Sequence, residues 1–145
     1  MSAGATDVLG AIIAGGASTR FGSPKALAKV DGRRVIDRVA DALRAALGHA
    51  GVVAIINDAQ LAAAIGLSHT PDLRPGFGAV GGLHAALVHA RDTGRSGVLA
   101  AGCDMPFINP DLLRGILDAR PGHDAVLPES EGRRGVEPLC AWYHT

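Results

Sequence analysis

Apolar residues in this chain fall into two patterns, which predict two kinds of element. Short continuous apolar runs that stop at turn-forming residues are typical of strands buried on both faces of a sheet. Five such runs predict strands, at residues 8–14, 51–57, 97–104, 124–128 and 136–144. The first run ends at Gly15-Gly16 and the third is cut off by Pro106, so both are expected to lead into loops.

Between these runs the apolar residues recur at helical spacing. The clearest helix is predicted over 34–47, where apolar positions repeat every three or four residues. Further helices are predicted at 58–65, with Asp58 as the cap, at 80–91, and from Pro110 onward. Strands that alternate with helices form βαβ units, so the expected fold class is a three-layer α/β/α domain with a mainly parallel sheet.

Composition and charge narrow the classes of protein. The chain has 145 residues, which is the size of one domain, and 48% of them are hydrophobic, which excludes a disordered chain. Fourteen basic residues balance fourteen acidic ones, so neither nucleic acid nor a membrane surface is an expected partner. The two cysteines, and the lack of a signal peptide or of an apolar span of about 18 residues, predict a reduced cytoplasmic protein.

The loop after the first predicted strand, AGGASTRFGSPK (14–25), carries unusual chemistry. Its glycines let backbone N–H groups close around phosphate oxygens, and Arg20 and Lys25 supply positive charge. The spacing is not that of a P-loop, because Lys25 follows Pro24 and precedes Ala26. The loop therefore predicts a phosphate-binding site, with a strand-to-helix turn carrying surface charges as the alternative.

Two later loops also follow predicted strands. GFGAVG (76–81) fits a dinucleotide-binding spacing, but DLRP intervenes where a strand should lead directly into it. It is better interpreted as a glycine-rich loop over a ligand, with Asp72 at its base. In CDMP (103–106), Asp104 stands at the tip of a buried strand. A carboxylate there suits Mg²⁺, which completes its coordination with phosphate oxygens and water; the alternative is that Asp104 only caps the turn.

The chain resembles the MobA-like nucleotidyltransferases, the molybdenum cofactor guanylyltransferase family, in three segments: IIAGGASTRFGSPKAL, GFGAVGGLHAAL and GCDMPF. Their order and spacing agree with the family pattern over roughly residues 8–143. The resemblance implies a Rossmann-like nucleotidyltransferase fold, also described as GT-A-like. It also implies a reaction in which GMP is transferred from GTP to the phosphate of molybdopterin cofactor and pyrophosphate is released. Molybdoenzymes or their chaperones are the further partners implied.

The resemblance also implies roles for particular residues. The guanine nucleotide would be lined by Ile13, Ala14, Gly15 and Gly16, and its nucleoside contacted by Asn57 and Asp72. The catalytic residues would be Lys25 on the phosphates, Arg20 in the same loop, and Asp104, which would hold Mg²⁺ and touch the triphosphate. An attacking phosphate is already ionised near neutral pH, so no general base is assigned.

The chain departs from the family pattern in two places. The family's G-P-L-A-G stands here as GAVGG, with Ala79 and Gly81, which predicts a more flexible loop. The family's Asn-rich C-terminal motif has no counterpart before Thr145, so we expect a single domain over 1–145 that lacks that segment. Two alternatives stay open: a cytidylyltransferase or other nucleotidyltransferase of the same superfamily, and a non-catalytic nucleotide-binding domain.

Overall fold

Strands and helices alternate along the chain in a computed structural model that describes residues 5–13, 27–49, 51–74, 76–132 and 135–145. The strands in these ranges are β1 (Val8–Ile13), β2 (Lys29–Val30), β3 (Arg33–Arg34), β4 (Val52–Ile55), β5 (His69–Thr70), β6 (Gly97–Gly102), β7 (Ala125–Val126) and β8 (Cys140–His144). The helices are α1 (Val35–Leu47), α2 (Ala59–Ile65), α3 (Gly78–Asp92) and α4 (Pro110–Asp118), with a 3₁₀ turn at Ala5–Asp7 before β1.

Within the described ranges six of the strands form one sheet, in the order β5-β4-β1-β6-β8-β7. Strand β1 is parallel to both β4 and β6, and β4 is parallel to β5. Strand β8 runs antiparallel to β6 and β7, while β2 and β3 form a separate hairpin across Asp31-Gly32. The predicted mainly parallel sheet is confirmed, and the carboxyl ends of β5, β4, β1 and β6 meet at one edge.

The sheet is covered on both faces, as predicted. Val8 and Ile12 of β1 belong to a core on one face, which is completed by α1, α2 and α4. Ile13 belongs to the core on the other face, where α3 contributes the small residues Ala85, Ala86 and Ala90. All six residues of β1 are buried, so this strand is the centre of a three-layer α/β/α fold.

Local signals account for most element boundaries. The Asp58 carboxylate accepts hydrogen bonds from the backbone N–H groups of the next helix, which confirms it as the cap of α2. Pro110 occupies the start of α4 behind an Asn109 cap. The helix predicted from residue 80 begins earlier, at Gly78. The loop 76–81 is therefore partly the first turn of α3, so its glycines do not make the flexible loop that the sequence predicts.

The predicted fourth and fifth strands are shorter than expected. Only Ala125–Val126 of 124–128 forms a strand, and the run 136–144 forms one only from Cys140. The N–H of Cys140 donates to the carbonyl of Glu137 (3.3 Å), which makes a turn at this point. Pro138 lies inside that turn and has no N–H to give to a ladder, so the strand starts beyond it.

Among the described residues, no helix has the length and apolar character that crossing a membrane requires.

The contact between α3 and β1 gives a test of the packing. A Cβ built on Gly82 would lie 2.8 Å from Cγ2 of Ile13, whereas one built on the exposed helical Gly115 meets nothing within 4 Å. We expect Gly82→Ala to destabilise the fold, because an overpacking cost of about 1–3 kcal/mol exceeds the propensity gain of up to about 1 kcal/mol. Gly115→Ala, the control, should stabilise by about 0.5–1 kcal/mol. Urea unfolding followed by circular dichroism measures both, and equal gains in the two variants would contradict the packing.

Candidate functional site

The predicted site residues that the structure describes lie together at the carboxyl edge of the sheet. Ile13 is paired with Ile55 of β4 and with Gly102 of β6, and Ile55 is paired with Thr70 of β5. These four residues form one row across the ends of four parallel strands. Asn57, Asp72 and Asp104 each stand two residues beyond this row, after Ile55, Thr70 and Gly102, so all three follow neighbouring strand ends at this edge of the sheet.

Five of the predicted site residues lie outside the described residues: Ala14, Gly15, Gly16, Arg20 and Lys25. Their roles stay predictions. In the sequence these five residues follow Ile13, the last residue of β1. Ile13 lies in the middle of the row just described.

A hydrogen bond between a backbone N–H and a side chain joins Asn57 to the next loop. Asn57 Oδ1 accepts from the N–H of Asp72 (2.7 Å), which links the end of β4 to the segment after β5. Because the oxygen of this amide is engaged, the Asn57 side chain has its Nδ2 donors to offer a ligand. The side chain is exposed, as a ligand contact requires.

Asp72 is half-buried against the first turn of α3. Its Oδ1 accepts from the N–H of Arg74 (2.8 Å), and its Oδ2 would lie 2.8 Å from a Cβ built on Gly81. The glycine that stands here in place of the family's alanine therefore leaves the space that the carboxylate occupies. A carboxylate at the N-terminal turn of a helix is also favoured by the helix dipole, so Asp72 orders this loop in addition to any ligand contact.

Asp104 follows β6 and is exposed. The N–H of Cys103 donates to the carbonyl of Ile13 (3.3 Å), so the Asp104 loop is tied to the end of β1. Asp104 Oδ1 would lie 2.9 Å from a Cβ on Gly102, which shows that the carboxylate folds back over the strand end. None of the hydrogen bonds between described residues uses the Asp104 carboxylate, which speaks against a purely capping role.

The donor chemistry here suits a hard cation with few protein ligands. Within the described parts of the chain, no three His, Cys, Asp or Glu residues come together as a metal cage. Mg²⁺ commonly uses one or two carboxylates and takes its other ligands from phosphates and water. Asp104 fits that pattern, because it is an exposed carboxylate at the edge where the loop 14–25 begins. The neighbouring Cys103 is buried, and a thiol is a poor ligand for Mg²⁺.

A cavity next to Asp104 was not predicted from the sequence. It has a volume of about 490 Å³ and begins at Met105, one residue beyond Asp104. The residues around it come from the β6–α4 connection, the start of α4 and the segment between β7 and β8. Its lining includes Glu137 and Cys140, which belong to the run 136–144 predicted as the fifth strand.

The comparisons with known proteins agree with this fold. The family model for the MobA-like NTP transferase domain matches residues 10–145. The probable molybdenum cofactor guanylyltransferase of Deinococcus radiodurans is 41% identical over 136 residues, covering 93% of this chain and 66% of that protein. The protein of the same name from Pelotomaculum thermopropionicum is 37% identical over 134 residues, covering 92% of this chain and 62% of its own length.

A solved structure shows the same fold. Molybdopterin-guanine dinucleotide biosynthesis protein A from Archaeoglobus fulgidus superposes with a TM-score of 0.69 at 26% identity, covering 93% of this chain and 66% of that one. The chain thus spans slightly less than two thirds of the curated relatives that it matches. The resemblance found in the sequence motifs is confirmed: the chain belongs to the MobA-like NTP transferase domain family.

Proposed function

We propose that this chain transfers GMP from GTP to the terminal phosphate of molybdopterin cofactor, with release of pyrophosphate and with Mg²⁺ as the cofactor. The observation that carries the proposal is that Asn57, Asp72 and Asp104 all follow strand ends around the end of β1, from which the motif AGGASTRFGSPK continues in the sequence. The choice of guanine and of a molybdopterin acceptor is supported by the names of the relatives.

The proposed chemistry is a displacement at phosphorus. An oxygen of the acceptor phosphate forms a bond to the α-phosphorus of GTP, and the bond from that phosphorus to the oxygen bridging to the β-phosphate breaks. The electron pair of the broken bond leaves with pyrophosphate. The attacking phosphate is ionised near pH 7, so the protein needs to align the reactants and neutralise charge.

In this proposal the charged side chains have separate roles at the triphosphate. Asp104 holds Mg²⁺, which when bound neutralises charge on the triphosphate. Lys25 and Arg20 supply further positive charge to the phosphates. Asp104 is suited to its role because its carboxylate is exposed and lies on a loop tied to Ile13 by the Cys103 hydrogen bond.

The nucleotide itself would lie against the other half of the edge. Ile13, Ala14, Gly15 and Gly16 line it, and the glycines allow the backbone to approach closely. Asn57 offers amide donors and Asp72 a carboxylate to the nucleoside, and the 2.7 Å bond between the two residues fixes their relative position. The product would pass to a molybdoenzyme or its chaperone in the cytoplasm.

Nucleotide choice can be tested by thermal unfolding with Mg²⁺ and each nucleoside triphosphate in turn. We expect GTP at about 100 times its dissociation constant to add roughly 2.7 kcal/mol of stability, and so to raise the Tm by several degrees. Asp104→Asn should lose most of this gain. Stabilisation by CTP instead would redirect the proposal to cytidylyl transfer, and no response to any triphosphate would contradict the nucleotide site.

Catalysis can be tested by pyrophosphate release from GTP, Mg²⁺ and molybdopterin. Asp104→Asn and Lys25→Ala should each lower kcat by about a hundredfold or more, because each removes charge that stabilises the transition state. Asp118→Asn is the matched control, since Asp118 is an exposed carboxylate at the far end of α4, and it should keep full activity. Equal Tm values without ligand establish that the variants are folded.

If either site variant turned over at the normal rate, the assignment of Asp104 or Lys25 would be wrong. If the parent chain bound GTP but released no pyrophosphate, the chain would be a nucleotide-binding domain without transferase activity.

A further inference from the structure

The cavity beside Asp104 has an apolar floor. Met105 follows Asp104 directly, and Phe107 and Leu112 extend the lining from the same connection into the start of α4. Phe107 is 77% exposed and Leu112 is 45% exposed, which is unusual for large apolar side chains at the edge of a candidate site. A volume of about 490 Å³ lies within the range of small-molecule sites, about 300–1,000 Å³.

The opposite wall carries negative charge. Glu137 and Glu129 both line the cavity, and Glu137 is the half-buried one of the two. The segment that presents them is ordered by backbone bonding: the N–H of Glu137 donates to the carbonyl of Pro128 (3.1 Å), beside an antiparallel bridge between Glu129 and Val136. Because this backbone is ordered before a ligand arrives, less entropy is lost on binding.

Electrostatic effects on the neighbours agree with this position of the Glu137 carboxylate. Burial, and to a smaller extent the charge of Glu137, raises the pKa of the Cys140 thiol, which also lines the cavity. The same two causes, in the same order, raise the pKa of Tyr143. Glu137 therefore adds negative charge next to Cys140 and Tyr143.

An apolar floor beside a carboxylate selects a flat ring with paired hydrogen-bond donors on one edge. The amino-pyrimidinone edge of a pterin has such a pair, the ring N–H and the adjacent amino group, and a carboxylate can accept both at once. Two carboxylates disfavour a phosphate or another anion in the same place. We propose that this cavity binds the pterin ring of the acceptor, with Glu137 as the residue that determines its specificity.

This inference rests on the proposed function, because the acceptor's phosphate must still meet the nucleotide near Asp104. Met105 joins the cavity to Asp104 without an intervening residue. In the proposal the ring occupies the cavity and the phosphate end of the same molecule extends toward Asp104.

The test is fluorescence titration of the full chain with 6-hydroxymethylpterin and with the matching lumazine, in which an oxo group replaces the amino group. The chain should bind the pterin more tightly than the lumazine. Glu137→Gln should weaken pterin binding by about tenfold or more, as expected for a lost charge-assisted pair, and should abolish the preference. Glu131→Gln is the matched control, since Glu131 is exposed on the same segment and is absent from the cavity lining.

Two outcomes would overturn the inference: no binding of the pterin by the parent chain, or an unchanged preference in Glu137→Gln. Both are separate from the proposed function, because GTP binding is measured without any pterin. With GTP and molybdopterin as substrates, Glu137→Gln should raise KM for molybdopterin and leave KM for GTP unchanged. An equal rise in both KM values would indicate a structural role for Glu137.

Discussion

The register of β1 with its parallel neighbours is the constraint on which the site depends. Hydrogen bonding between the strands sets Ile13 level with Ile55 and Gly102. Asn57 and Asp104 each follow this row by two residues, so both leave the sheet beside the end of β1. In a parallel arrangement a slip of one residue would turn each of these side chains to the opposite face, so the buried apolar faces of β1 fix the geometry of the polar edge.

Small residues make this close arrangement possible. Gly82 lets α3 approach Ile13, and Gly81 leaves room for the Asp72 carboxylate. The first turn of α3 therefore does two tasks, since it packs on the central strand and positions a polar side chain. The high glycine content of the chain, 20 residues in 145, is in this region a condition of packing, because a Cβ at either position would meet an atom at 2.8 Å.

The sequence predicted the parts of the fold in which one local signal dominates. Strands β1, β4 and β6 are apolar runs with clear ends, and Asp58 caps α2 as its position implied. The start of β8 was wrong because VEPL is as apolar as the strand that follows, and only the Glu137–Cys140 turn separates them. The position of β8 between β6 and β7 depends on long-range strand pairing, which no local sequence pattern encodes.

The features of the candidate site also differ in how far the sequence alone could identify them. Asp72 and Asp104 could be singled out from the loops that follow predicted strands, and Arg20 and Lys25 from the charge in the loop 14–25, whereas the assignment of Asn57 rests on the family resemblance. The cavity could not be found, since its two walls come from segments separated in sequence, and neither Met105 nor Glu137 is unusual in its own segment. Its existence depends on β8 lying next to β6, which brings Cys140 opposite Ala101 and so closes the space beside Asp104.

The two proposed ligands, a triphosphate and a neutral ring, differ in charge, and so do the residues proposed to surround them. The chain has no net charge, yet its basic motif residues Arg20 and Lys25 belong to the loop after β1, and the carboxylates of Glu129 and Glu137 line the cavity beyond Asp104. A triphosphate is attracted to the first region and repelled from the second. A neutral ring with hydrogen-bond donors can instead bind to the carboxylates of the second region. Under the two proposals the triphosphate is thereby kept out of the cavity that the ring would occupy.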